Sequence, residues 1–130
     1  MSEIVIEVGK RNIREINEDM MEACKESRPI RVINSRSRHN LGIGLPSNGK
    51  LYFEGSVGYY CGGLNTGSEI EIERNAGWGL GEGMSRGKIT VGGYSGMSLG
   101  SAMNGGLIHV KGDAGPRCGV AMKGGTIVVE

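Results

Sequence analysis

The 130-residue chain is short of the groups on which many activities depend: two His, one Phe, one Trp and three Pro. Its cysteines, Cys24, Cys61 and Cys118, are odd in number and show no C-x-x-C spacing, which argues against both a disulfide framework and a zinc site. Reduced thiols are expected. No apolar run approaches the roughly 20 residues that span a bilayer, and Met1 to Lys10 lacks the basic start and apolar stretch of a signal peptide. The cytoplasm is the expected address. Fifteen basic and fourteen acidic residues leave a net charge of +1, so no overall field draws the chain to nucleic acid or to a membrane.

What the chain has in excess is glycine, 25 residues of it, placed periodically. A fixed period is sought first because it decides the whole fold. Gly49–Gly67, Ser68–Arg86, Gly87–Gly105 and Gly106–Gly124 are four consecutive 19-residue blocks, and Gly125–Glu130 opens a fifth. The third column reads Leu51, Ile70, Ile89, Ile108, Ile127 and the fifth Phe53, Ile72, Val91, Val110, Val129, with mostly polar residues between. That alternation predicts a strand with one buried face. Cys61, Leu80, Leu99, Cys118 and Asn65, Met84, Met103, Met122 form two more columns, predicted to point inward.

The tenth column is Gly58, Gly77, Gly96, Gly115 and the fourteenth Gly62, Gly81, Gly100, Gly119. Corners that need positive φ or close backbone approach explain both, and Gly96 is expected at positive φ. The predicted fold is a single-stranded, right-handed parallel β-helix over residues 30–130, comprising a lead-in coil, four regular coils and the start of a fifth. Left-handed β-helices repeat a hexapeptide and use 18-residue coils, whereas this period is 19, so the right-handed form follows by analogy.

Residues 1–29 precede the coils as a strand and a helix. Glu3 to Val8 alternate, and Asn12 with Glu15 is a capping-box-like start to a helical pattern of Ile13, Ile16, Met20, Ala23 and Cys24 that ends by Arg28-Pro29. Asn34 to Leu45 is expected to be an irregular lead-in coil, with Leu41 and Gly42 in the thirteenth and fourteenth columns if one residue is inserted near Pro46.

Catalytic constellations are not found. Gly77-Trp78-Gly79-Leu80-Gly81-Glu82-Gly83 lacks the following helix of a dinucleotide fingerprint, so its glycines are read as corners. His39 and His109 each lack a partner at ligand spacing, and Cys61 and Cys118 read as small core hydrophobes. No catalytic, cofactor-binding or metal-binding residue is assigned. Glu54, Glu71 and Glu73 are the acids on which an independent polysaccharide-acting or formyl-transferring enzyme would have to draw. Arg28, Arg31, Arg36 and Arg38 lie in a stretch without acids, predicted either to pair with the acidic N-terminal segment or to form a docking face. Arg36, Arg38, His39, Tyr59, Tyr60 and Trp78 are the candidate partner interface, since exposed aromatics with arginine are the usual anchors.

Gly58-Tyr59-Tyr60-Cys61-Gly62-Gly63-Leu64-Asn65, Asn75-Ala76-Gly77 and Arg117-Cys118-Gly119-Val120-Ala121-Met122-Lys123-Gly124 resemble the G-x-G-x-G β-helix family, a likeness covering nearly the whole chain. The family includes the C-terminal domain of glutamate synthases, the C subunit of formylmethanofuran dehydrogenase and the glutamate-synthase-like subunit of methylamine–glutamate N-methyltransferase. The last looks most similar, through Tyr59-Tyr60-Cys61, His39-Asn40-Leu41, Gly42-Ile43-Gly44-Leu45 and Arg14-Glu15-Ile16-Asn17. The resemblance implies a non-catalytic scaffold subunit of an oxidoreductase or methyltransferase complex. It would organise a glutamine amidotransferase and an FMN-binding, iron–sulfur synthase subunit, binding neither cofactor itself. Relatives continue through further coils while this chain stops at Glu130, which implies truncation, self-association into a homo-oligomeric rod, or cover by a partner.

Overall fold

The computed structural model describes residues 2–130. Seven strands run β1 (Ile4–Glu7), β2 (Ile30–Ile33), β3 (Lys50–Phe53), β4 (Thr66–Ile72), β5 (Arg86–Val91), β6 (Leu107–Val110) and β7 (Thr126–Val129), with one helix, α1 (Ile13–Cys24), between β1 and β2. All neighbours pair in parallel, and the sheet order is the chain order. That is a β-solenoid: a parallel neighbour that is also the next strand in sequence requires the chain to wind round once between them.

The register reproduces the period. Leu51 lies beside Ile70, Ile70 beside Ile89, Ile89 beside Ile108 and Ile108 beside Ile127. The third and fifth columns are buried through Val110, and the column of Val57, Ala76 and Ser95 joins them on a second ladder of single bridges that ends at Ala114. Leu80, Leu99, Met84 and Met103 close the core from the remaining side.

Ser35, Asn65, Ser68 and Ser95 are buried polar residues, and Asn65 is the one that occupies a place filled by methionine in the later coils. Asn65 is fully buried, yet its Oδ1 accepts from Ser68 N at 2.9 Å and Gly67 N at 3.1 Å while its Nδ2 donates to Ser68 O at 2.9 Å. With both ends of the amide bonded locally, burial carries no unmet desolvation cost. Cys118 departs from expectation: it is exposed, while Cys61 in the same column is buried, because no further arc stacks over the one that carries Cys118.

The two glycine columns act by different means. Gly62, Gly81, Gly100 and Gly119 stand at φ between 66° and 70°. The tenth-column glycines, Gly96 included, do not have positive φ, contrary to the sequence expectation. Their requirement is space, since a Cβ on Gly77 would lie 2.8 Å from the Gly58 carbonyl carbon and one on Gly96 2.9 Å from that of Gly77. Positive φ also recurs two residues either side of the fourteenth column. Tyr60, Gly79, Ser98 and Arg117 take it on one side, and Leu64, Gly83, Ala102 and Ala121 on the other. Each coil therefore turns through an arc in which alternate residues are left-handed. Tyr60 N and Leu64 N donate to the following coil, at Trp78 O and Glu82 O, while Gly62 N donates back to Leu41 O. The arc is thereby laced to both neighbours.

The N-terminal segment belongs to the same stack. β1 pairs with β2, and Ile16, Met20, Ala23 and Cys24 of α1 are buried against the core. Asn12 caps α1, its side chain accepting from Arg14 N and Glu15 N at 2.9 and 3.3 Å. Asn17 then does for the lead-in arc what a preceding coil would do. Its Oδ1 accepts from Gly42 N at 2.7 Å and its Nδ2 donates to Asn40 O at 2.8 Å. Leu41 and Gly42 take the expected columns, Leu41 buried and Gly42 at φ 70°. The insertion expected near Pro46 is present, since Gly62 N bonds Leu41 O, 21 back, where Gly81 N bonds Cys61 O, 20 back; Val32 pairs with Phe53, 21 positions on, so a second residue is inserted, between Val32 and Ser37.

Candidate functional site

Outward from the coils, the column after the tenth-column glycines carries Tyr59 and Trp78, and the lead-in coil places His39 beneath them. The 19-residue period fixes one side chain above another, so the rings stack. His39 and Tyr59 have centroids 4.2 Å apart at 21°, and Tyr59 and Trp78 are 5.1 Å apart at 11°. Tyr60 meets Tyr59 edge-on at 6.4 Å. His39 Nδ1 accepts from Tyr59 N at 2.8 Å, which orients the ring in the stack.

Four of the six anticipated interface residues are thus one cluster, and all four are exposed. Arg38 is not available to a partner: its guanidinium donates to Gly9 O at 3.1 Å and Arg11 O at 2.7 Å, tying the β1–α1 turn to the lead-in coil. Arg36 is exposed, with no side-chain hydrogen bond among the described residues. Arg31 pairs with Glu3 at 2.9 Å and Glu54 at 3.3 Å, and Arg28 with Glu26 at 3.0 Å, so the acid-free stretch mostly pairs with the N-terminal segment.

Of the acids, Glu54 and Glu73 stand in one column on adjacent coils, with Glu71 nearby around Tyr52. Glu54 is held by Arg31, Glu73 accepts from Gly55 N at 2.7 Å, and Glu71 lies with Lys50, Tyr52 and Lys88 on the open outer face of the sheet. His109 pairs with Glu130. Burial pushes the Cys61 thiol up to about 12 and raises Cys118 as well, so neither is a ready thiolate. Among the described residues no three His, Cys, Asp or Glu side chains converge on a place that could hold a metal ion.

Two grooves flank the aromatic cluster. One, about 420 Å³, runs along the floor of Gly58, Gly77 and Gly96 between the Tyr59–Trp78 wall and Tyr94. The other, about 640 Å³ and mainly apolar, lies on the far side of Tyr60 against Leu64 and Ile43. Leu64 and Ile43 were not anticipated as site residues. The available signal was the break in Leu64's own column, where the later coils have Gly83, Ala102 and Ala121.

Ring geometry limits what the cluster can do. Both faces of Tyr59 are occupied by His39 and Trp78, so it offers an edge and a hydroxyl rather than a platform for a sugar or a base. An amphipathic edge with a polar tip is the chemistry of a protein–protein contact. The fold is a parallel β-solenoid, and this surface is an exposed aromatic cluster upon it. Comparison with protein-family models, curated proteins and solved structures returns no match. No helix among the described residues is long and apolar enough to cross a membrane.

Proposed function

We propose that the chain is a non-catalytic scaffold subunit of a glutamate-synthase-type complex, cytoplasmic, organising a glutamine amidotransferase and an FMN subunit that carry the chemistry. The observation that supports a scaffold role is the exposed His39–Tyr59–Trp78 ladder. Trp78 is 47 % and Tyr60 42 % exposed, large rings held in fixed geometry by a rigid stack, as interface anchors are. The assignment to this kind of complex rests on the motif resemblance carried by Tyr59-Tyr60-Cys61 and the glycine columns. Flavin and iron–sulfur chemistry belong, on this reading, to the partner subunits.

Affinity purification from native extract, with mass spectrometry and an absorption spectrum, tests it. Recovery of an amidotransferase with a flavoprotein is expected. Recovery of the chain alone, colourless and oligomeric, would favour a self-assembling rod. Trp78→Ala should weaken partner recovery by about tenfold, corresponding to a hot spot of roughly 1.4 kcal/mol, without lowering the melting temperature by more than a few degrees.

A further inference from the structure

Tyr60 and Leu64 stand on one arc, both at positive φ (64° and 56°) and both exposed, Leu64 at 59 %. A left-handed backbone is unfavourable for residues with a Cβ, and outward-facing leucine gains little from burial. The next coil has glycine at both places, Gly79 and Gly83, so the arc itself does not require large side chains there. The two side chains lie over those glycines and still leave much of their surface exposed, which directs attention to what they contact outside the chain.

Between them lies the groove of about 640 Å³, whose wall also includes Ile43 and Glu82. Glu82 is the one charged residue lining it. Glu82 is half-buried beside these apolar groups, and its carboxylate has no ion-pair partner among the described residues. A second, smaller hollow across Tyr60 is lined by Trp78 and again by Glu82. The apolar groove and this more polar hollow share one unpaired negative charge.

We infer that the Tyr60–Leu64 groove docks a segment of a partner protein that inserts an aliphatic or aromatic side chain beside Leu64 and presents a Lys or Arg to Glu82. The apolar walls supply the burial, and the carboxylate selects a basic neighbour and rejects an acidic one. The inference rests on the interaction reading above and not on the kind of complex involved.

The test places a photo-cross-linking p-benzoylphenylalanine at Tyr60, already an aromatic position, in the full chain expressed in its native cells. The cross-linked partner peptide is then sequenced. The expected peptide carries Lys or Arg within about four residues of a large apolar side chain, the span over which neighbours share one face of an element. Glu82→Lys should cut the cross-link about tenfold, and reversing that basic residue to Glu in the partner should restore it. Leu64→Gly should melt no lower than the parent, since glycine suits the left-handed backbone, while losing the cross-link. Cross-linking to a second copy of this chain, to an acidic segment or to nothing overturns the inference, as does full cross-linking in Glu82→Lys or in Leu64→Gly. A basic, apolar segment from a protein that is neither amidotransferase nor flavoprotein would sink the proposed complex and leave the groove assignment standing. The reverse holds if those subunits co-purify while Tyr60 cross-links to nothing in them.

Discussion

At Gly100 the backbone stands at φ 66° and a Cβ would lie 2.5 Å from the Ile127 side chain, whereas at Gly96 the obstacle is the Gly77 carbonyl carbon at 2.9 Å. Alanine is expected to destabilise both. At Gly100 the left-handed backbone costs about 1–2 kcal/mol before any crowding of the core. At Gly96 overpacking against backbone costs about 1–3 kcal/mol. Melting curves of the two variants check this, and an unchanged melting temperature at either position removes the reason given for that column. Cys61 makes a different residue-scale prediction. Burial holds its thiol near 12, above the ordinary value of 9.0, so the native state keeps a proton that the unfolded chain releases. Its contribution is therefore intact below pH 9 and declines as pH rises from there toward 12. Cys61→Ala should flatten the alkaline arm of the stability profile measured by denaturant unfolding. In native protein Cys118, being exposed, should react with a thiol reagent well before Cys61.

At the scale of the element, α1 works as an end-piece for the stack. Its buried stripe of Ile16, Met20, Ala23 and Cys24 follows from helical spacing and was legible in the sequence. What Asn17 does was not legible, because its partners, Gly42 N and Asn40 O, lie more than 20 residues away on an arc whose conformation is set by the coil above. Removing the amide leaves a part-buried N–H without an acceptor, so Asn17→Ala should cost about 1–3 kcal/mol. Hydrogen exchange at Gly42 would report it, and unaltered protection there would refute the capping role. The aromatic column was more legible: that Tyr59 and Trp78 stack is implied by a 19-residue separation, and His39, 20 residues before Tyr59, joins them through the one-residue insertion expected near Pro46.

For the molecule as a whole, every regular residue finds its neighbours 19 positions away, and stability is close to a sum over adjacent coils. Deleting Gly87–Gly105 removes one full coil and joins Arg86 to Gly106, leaving each column in register. That chain should fold, with a circular dichroism spectrum of the same shape and a lower melting temperature. Deleting Gly87–Asn104, one residue fewer, leaves the next coil one position out of step, which turns Ile108 and Val110 toward solvent, and should prevent cooperative folding. Equal behaviour of the two deletions would contradict the column assignment. Tyr59, Tyr60, Leu64, Trp78 and Glu82 lie outside the deleted segment, and Ala121 takes the place of Ala102 in the groove wall, so partner binding should survive the full-coil deletion.

The amino-acid sequence by itself determined the repeat, the strand faces, the buried columns and the helix with its Asn12 cap. These follow from periodicity, because identical coils stacked at a fixed spacing turn a one-dimensional column into a line of contacts. Only the tertiary structure decided which glycines have positive φ and which merely lack room, that Cys118 is exposed, that Arg38 is bound to Gly9 and Arg11, and that Leu64 projects from the surface beside an unpaired Glu82. The Arg38 contacts depend on where the lead-in coil comes to rest against the β1–α1 turn, and the others on backbone angles and close approaches that a column of residue types does not carry. Contacts between aperiodic and periodic segments have no column to announce them.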